Sequence, residues 1–168
     1  MNTSKKAVTE RVSTHFLRAV VFMMGAVALL LCYLILPEIN AGWAQAYPDM
    51  ANWKYPFLTL LTVSTVPFFV ALYQTLKLLQ YIDTNKAFSG LAVNALKYIK
   101  YCALVFSVLY VASLPFIYRV ADDVDAPGVM VIGVAMCFAP LVIAVFAAVL
   151  QKLLQSAIDI KAENDLTV

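Results

Sequence analysis

The chain has 168 residues, 63% of them hydrophobic and only 13% charged, whereas an ordinary soluble domain has about 45–50% apolar and about 25% charged residues. A single domain of this length cannot enclose so much apolar surface, so the excess is expected to face lipid; this excludes a soluble enzyme, a disulfide-stapled secreted module and a disordered tail. Twelve Lys and Arg against ten Asp and Glu leave a net charge of +2, which gives no bulk electrostatic case for direct nucleic-acid binding.

Four uncharged stretches, Ala19–Pro37, Tyr55–Leu76, Tyr101–Tyr118 and Ala126–Gln151, are each near or above the roughly 18–20 residues that cross a bilayer as helix. They are continuously apolar, without the alternation of a lipid-facing barrel strand, and predict an all-α integral membrane four-helix bundle. As a single domain over residues 1–168, it is expected to place helices at about 16–37, 55–82, 90–118 and 126–161.

The first span follows a basic arm with Lys5, Lys6, Arg11 and Arg18. Its apolar run of about 18 residues exceeds the roughly 7–15 of a signal-peptide core, so it is read as a retained span rather than a cleaved leader. The lone His15 in the arm has no second metal ligand nearby and is read as interfacial. Next comes a loop from Pro37 to Lys54, where Trp43, Tyr47 and Trp53, with Tyr55 just after it, suit a headgroup-level aromatic belt.

In the second span Thr59, Thr62, Ser64 and Thr65 precede Pro67, and in the third Ser107 and Ser113 precede Pro115; Pro140 lies in the fourth. Hydroxyls near a proline can serve the carbonyls it frees and bond between helices. Thr59, Thr62, Pro67, Ser113, Pro115 and Pro140 are therefore read as a kink and polar-face set, with a substrate pocket as the lesser reading. Leu72, Leu76, Leu79 and Ile82 carry a helical stripe beyond Lys77, so the second helix should project past the membrane before a turn at about 83–89. Ser89 is a plausible N-cap for the third helix, whose first turns present Asn94, Lys97 and Lys100 on a polar face. The fourth helix should likewise overshoot, leaving a tail over residues 162–168.

Ten of the twelve basic residues fall on one side of this topology, in the N-terminal arm, the second connection (Lys77, Lys86, Lys97, Lys100) and the C-terminal segment (Lys152, Lys161). Only Lys54 and Arg119 lie opposite, among Glu38, Asp49, Asp122, Asp123 and Asp125. The positive-inside rule then puts both termini in the cytoplasm.

No span carries an ionisable residue well inside it, which counts against a proton-coupled carrier or a pump. Cys32, Cys102 and Cys137 lack the paired spacing of a zinc site or a redox dithiol. The acidic cluster before Pro127-Gly128 lacks the remaining oxygen donors of a calcium loop. No catalytic residue, metal site or cofactor is assigned, and the chain is read as a non-enzyme.

Three stretches carry a family resemblance: Tyr81-Ile82-Asp83-Thr84-Asn85-Lys86-Ala87-Phe88-Ser89, Asp125-Ala126-Pro127-Gly128, and the end from Ala157 through Glu163-Asn164-Asp165-Leu166-Thr167-Val168. Together they resemble the bacterial four-helix membrane family known as domain of unknown function 2975, over nearly the whole chain. The resemblance brings no catalytic or binding residue with it. It implies one association, because similar members are commonly encoded beside a small helix-turn-helix regulator.

The expectation is a multi-pass protein of the bacterial cytoplasmic membrane, in contact with the lipid bilayer. It would act as a non-enzymatic sensor or membrane partner of such a regulator, with homo-oligomerisation open. Lys86, Lys97 and Lys100 would form the docking surface with Asp159, Glu163, Asp165, Leu166 and Val168, the acidic tail resting on the basic hairpin. The competing reading is a small oligomeric permease or exporter of apolar compounds, since four helices alone leave little room for two repeats around a midplane site.

Overall fold

A continuously apolar chain has no water in the bilayer with which to satisfy its backbone, so each span must close its own hydrogen bonds as helix. The computed structural model describes residues 2–46, 52, 54–84 and 86–166, with side chains placed over 14–39, 41–42, 52, 54–84 and 86–164. Within these residues it is all-helical: α1 (Asn2–Ala46), α2 (Lys54–Asp83), α3 (Gly90–Asp123) and α4 (Pro127–Leu166). All four contain a segment long and apolar enough to cross a membrane.

The helices are longer than the sequence pattern suggests. α1 runs far beyond residues 16–37 at both ends, and Pro37, which lacks one backbone donor, does not stop it. The first part of the expected loop at Pro37–Lys54 is therefore helix. α3 continues past residue 118 to Asp123, and α4 past 161 to Leu166, so the segment from residue 162 extends α4 rather than forming a separate tail.

The connections have definite local causes. After α2, the Thr84 amide and hydroxyl both donate to the Gln80 carbonyl, at 3.1 and 2.9 Å. Ser89 takes the extended backbone of an N-cap, but its hydroxyl turns back to donate to the Lys86 carbonyl at 2.7 Å and does not cap α3. The α3–α4 turn is a Schellman closure: Ala126 N–H reaches the Ala121 carbonyl and Asp125 N–H reaches that of Asp122. Asp125 occupies the left-handed position at φ 49°, where Asp is among the better-tolerated non-glycine residues. Pro127 then opens α4, the helix position where a missing N–H costs least.

Packing follows chain order. α3 lies most closely on α4, α2 on α3 and α1 on α2, while non-consecutive helices scarcely touch among the described residues. The bundle is thus open on the side where α1 and α4 would meet.

The α3–α4 seam is built from small residues. Ala103 and Ser107 are buried on α3, and Gly133, Cys137, Ala144 and Ala147 on α4, at spacings of three, four or seven residues that keep them on one face. Such residues let backbones approach where lipid supplies no hydrophobic drive for association. Ser107 donates across the seam to the Cys137 carbonyl at 2.8 Å, and Cys137 Sγ bonds back to the Gly133 carbonyl at 3.3 Å.

Candidate functional site

Two places bring chemistry-bearing side chains together. One is the end of the molecule holding the α2–α3 turn. Here Leu79 of α2 and Ala92, Val93, Ala95 and Leu96 of α3 are all buried, in segments flanked by lysines. Helix ends that project into water can bury surface by the hydrophobic effect, which the lipid-covered portions cannot.

Polar contacts brace this end. Arg18 Nη2 of α1 meets Asp83 Oδ2 of α2 at 2.6 Å, and Lys100 Nζ of α3 donates to Gln151 Oε1 of α4 at 3.1 Å. Lys77 lies over the Tyr73 ring and Lys100 over that of Tyr101, at 4.6 and 4.9 Å from the ring centres. The Arg18–Asp83 pair was not foreseen from sequence, since 65 positions separate the two and no local spacing joins them. It is partly exposed, and mutating both partners singly and together is expected to give a coupling of about 0.5–1 kcal/mol, shrinking as salt is raised. Thermal melts of the wild type and the three variants at low and high ionic strength measure it.

The residues expected to form a docking surface are distributed as follows. Lys86 and Lys97 are exposed, and Lys100 is half-buried and committed to Gln151. Asp159 is exposed on α4 and accepts from Gln155 Nε2 at 2.9 Å, so its carboxylate is engaged within its own helix. Glu163 is exposed near the end of α4. The side chains of Asp165 and Leu166, and all of Val168, lie outside the described residues, as do the side chains of Trp43, Tyr47 and Trp53 in the expected aromatic belt.

The second place is a trough along the open side of the bundle. Two adjoining cavities of about 350 and 410 Å³ share Phe68, Phe106, Tyr110 and Met136 as walls, so α2 and α3 supply the floor. Ala28 and Leu31 of α1 form one rim, and Ala139 and Ile143 of α4 the other. A smaller space of about 250 Å³ continues the trough toward Ile39, Phe57 and Ser113. These volumes lie in the range of small-molecule sites. Phe106 and Tyr110 stack at 4.7 Å, with Phe68 6.4 Å from Phe106, so the floor is a strip of aromatic rings.

The kink and polar-face set divides over these surfaces. Pro67, Pro140 and Ser113 line the trough, whereas Thr59, Thr62 and Pro115 are exposed. The hydroxyls do not serve the carbonyls that Pro67 and Pro115 free, those of Val63 and Val111. Thr59, Thr62 and Thr65 donate to Tyr55, Leu58 and Leu61, one turn back, and Ser64 and Ser113 to Leu61 and Tyr110, three residues back. Each hydroxyl takes the carbonyl its own rotamer can reach, and the reach is fixed by helix geometry rather than by the proline. The aromatic floor escaped the sequence reading, although Phe106 and Tyr110 stand one helical turn apart.

The three cysteines are free thiols, Cys137 buried and the other two half-buried, and no group of three metal-binding side chains occurs among the described residues. The model of a family described as protein of unknown function, DUF2975, matches residues 41–168. The chain is also similar to the uncharacterised membrane protein YoaS of Bacillus subtilis (strain 168). The two are 53% identical over 158 residues, covering 94% of this chain and 99% of that protein. No solved structure matches the chain.

Proposed function

The chain belongs to the DUF2975 family and is a multi-pass membrane protein, and from that premise we propose that it is a non-enzymatic membrane partner of a small helix-turn-helix transcriptional regulator. In this reading it lies in the bacterial cytoplasmic membrane with both termini inside, as the distribution of its lysines and arginines implies. The observation that carries the reading is the packed end around Leu79, Ala92 and Leu96. There α2 and α3 extend beyond their uncharged stretches and bury these residues, with Lys86 and Lys97 exposed beside them. A span needs no such extension to cross lipid, whereas a docking platform needs a rigid one.

The platform would offer Lys86, Lys97 and Lys100 from the hairpin side, and Asp159, Glu163, Asp165, Leu166 and Val168 from the α4 side. A signal acting through the spans must favour one packing of the helices over another, since a ligand that binds both equally shifts nothing. Co-purification from membranes, with the regulator encoded beside the gene expressed in the same cells, tests the reading. Regulator should be retained by the full chain and lost about tenfold or more on reversing Lys86 and Lys97 to Glu or removing residues 162–168. Absence of regulator from the full-chain eluate would sink the proposal.

The trough favours one other reading, an oligomeric permease or exporter of apolar compounds. Uptake of an apolar dye into vesicles containing the protein, together with drug tolerance of expressing cells, separates it from the first.

A further inference from the structure

Among the hydroxyls that face the trough, one differs from the rest. Ser64 and Thr65 donate to the Leu61 carbonyl and Thr75 to that of Ala71, so all three are satisfied within their own helix. The Tyr110 hydroxyl makes no hydrogen bond among the described residues, although its ring lines all three spaces of the trough. Tyr110 also falls at the middle of the uncharged stretch 101–118, far from either membrane surface. A phenol in hydrocarbon with neither donor nor acceptor used is an open valence for a ligand.

From this we infer that the trough is a binding site for a lipid-soluble quinone, a flat conjugated ring bearing carbonyls on a hydrocarbon tail. Its ring lies against Phe68, Phe106 and Tyr110, which present stacked and tilted aromatic faces. A ring carbonyl accepts from the Tyr110 hydroxyl. The tail follows the apolar walls past Leu31 and Met24, and the ligand enters from the bilayer between α1 and α4, which do not pack along each other. An ordinary acyl lipid shares the carbonyl and the tail but not the placement. Its ester groups sit at the membrane surface, about 15 Å from the bilayer centre where Tyr110 lies. The site stands whether or not a regulator docks at the basic end.

The test uses the purified full chain in phosphatidylcholine nanodiscs, with menaquinone-4 as the probe and bound probe quantified by absorbance after gel filtration. Saturable binding is expected. Tyr110→Phe, which keeps the ring and removes the hydroxyl, should weaken it about threefold to tenfold, the worth of one hydrogen bond. Tyr98→Phe, an exposed tyrosine of the same helix, should leave it unchanged. Ala71→Trp, which fills the trough, should abolish it, with a thermal melt confirming that the variant is folded. Unsaturable uptake, equal binding by Tyr110→Phe, or equal displacement by dioleoyl phosphatidylglycerol would each overturn the inference, the last by assigning the trough to acyl chains.

Discussion

Replacing Gly133 by leucine is expected to cost about 3 kcal/mol of stability, the upper end of the range for overpacking, and to lower the melting temperature in detergent by several degrees. A Cβ at this position would stand 2.9 Å from Ile117 Cγ2 and 3.2 Å from its Cδ1, closer than carbon atoms approach without displacement. Ile117 cannot turn aside cheaply, because its Cγ2 sits directly on a β-branched carbon whose rotamer the helix fixes. The two helices must therefore separate, which lengthens the 2.8 Å bond from Ser107 to the Cys137 carbonyl one turn away. Gly128→Ala provides the control, since nothing lies within 4 Å of its Cβ position and alanine is the better helix former. Combining Gly133→Leu with Ile117→Ala should recover at least half of the loss. Melting of Gly133→Leu at the wild-type temperature would refute close packing at the seam.

Leu79→Ala and Leu96→Ala should each cost about 2–5 kcal/mol, against less than about 1 kcal/mol for Leu30→Ala and Leu150→Ala. The side chains are identical and only their surroundings differ. Leu79 and Leu96 are each 7% exposed, in the packed end flanked by Lys77, Lys97 and Lys100. Truncation there leaves a cavity and returns apolar surface to water at about 25 cal/mol per Å². Leu30 and Leu150 are 57% and 52% exposed within apolar spans, where lipid tails close over the missing atoms and no transfer energy is lost. Melting curves of the four variants in one detergent give the comparison, and equal losses at all four positions would contradict it. The first two variants should also become sensitive to protease between Asp83 and Gly90, as the platform loosens.

The four helices were legible in the sequence because span length and unbroken hydropathy are local properties, set by the thickness of hydrocarbon a helix must cross. The overshoot of α2 past Lys77 was legible for a related reason, since Leu79 and Ile82 continue the apolar stripe of Leu72 and Leu76. Helix ends were less so. Pro37 resembles a stop, yet α1 passes through it, because a single proline removes one hydrogen bond that a long helix can forgo. Ser89 shows the same division in miniature: its place as N-cap follows from the chain reversal, but the direction of its hydroxyl depends on the Lys86 carbonyl that the turn happens to bring within reach.

By itself, then, the order of residues determined the solvent, the helical class and which charges share an end, all of which follow from composition and from distances along the chain. The tertiary structure alone decided that α1 and α4 stand apart, that Gly133 lies against Ile117, that Arg18 pairs with Asp83, and that Phe68, Phe106 and Tyr110 line one trough. The physical reason is that a span is apolar on nearly all of its circumference. With lipid as the solvent, hydropathy no longer distinguishes the side of a helix that meets another helix from the side that meets the membrane, and only the fit of small residues and the few polar contacts make that choice.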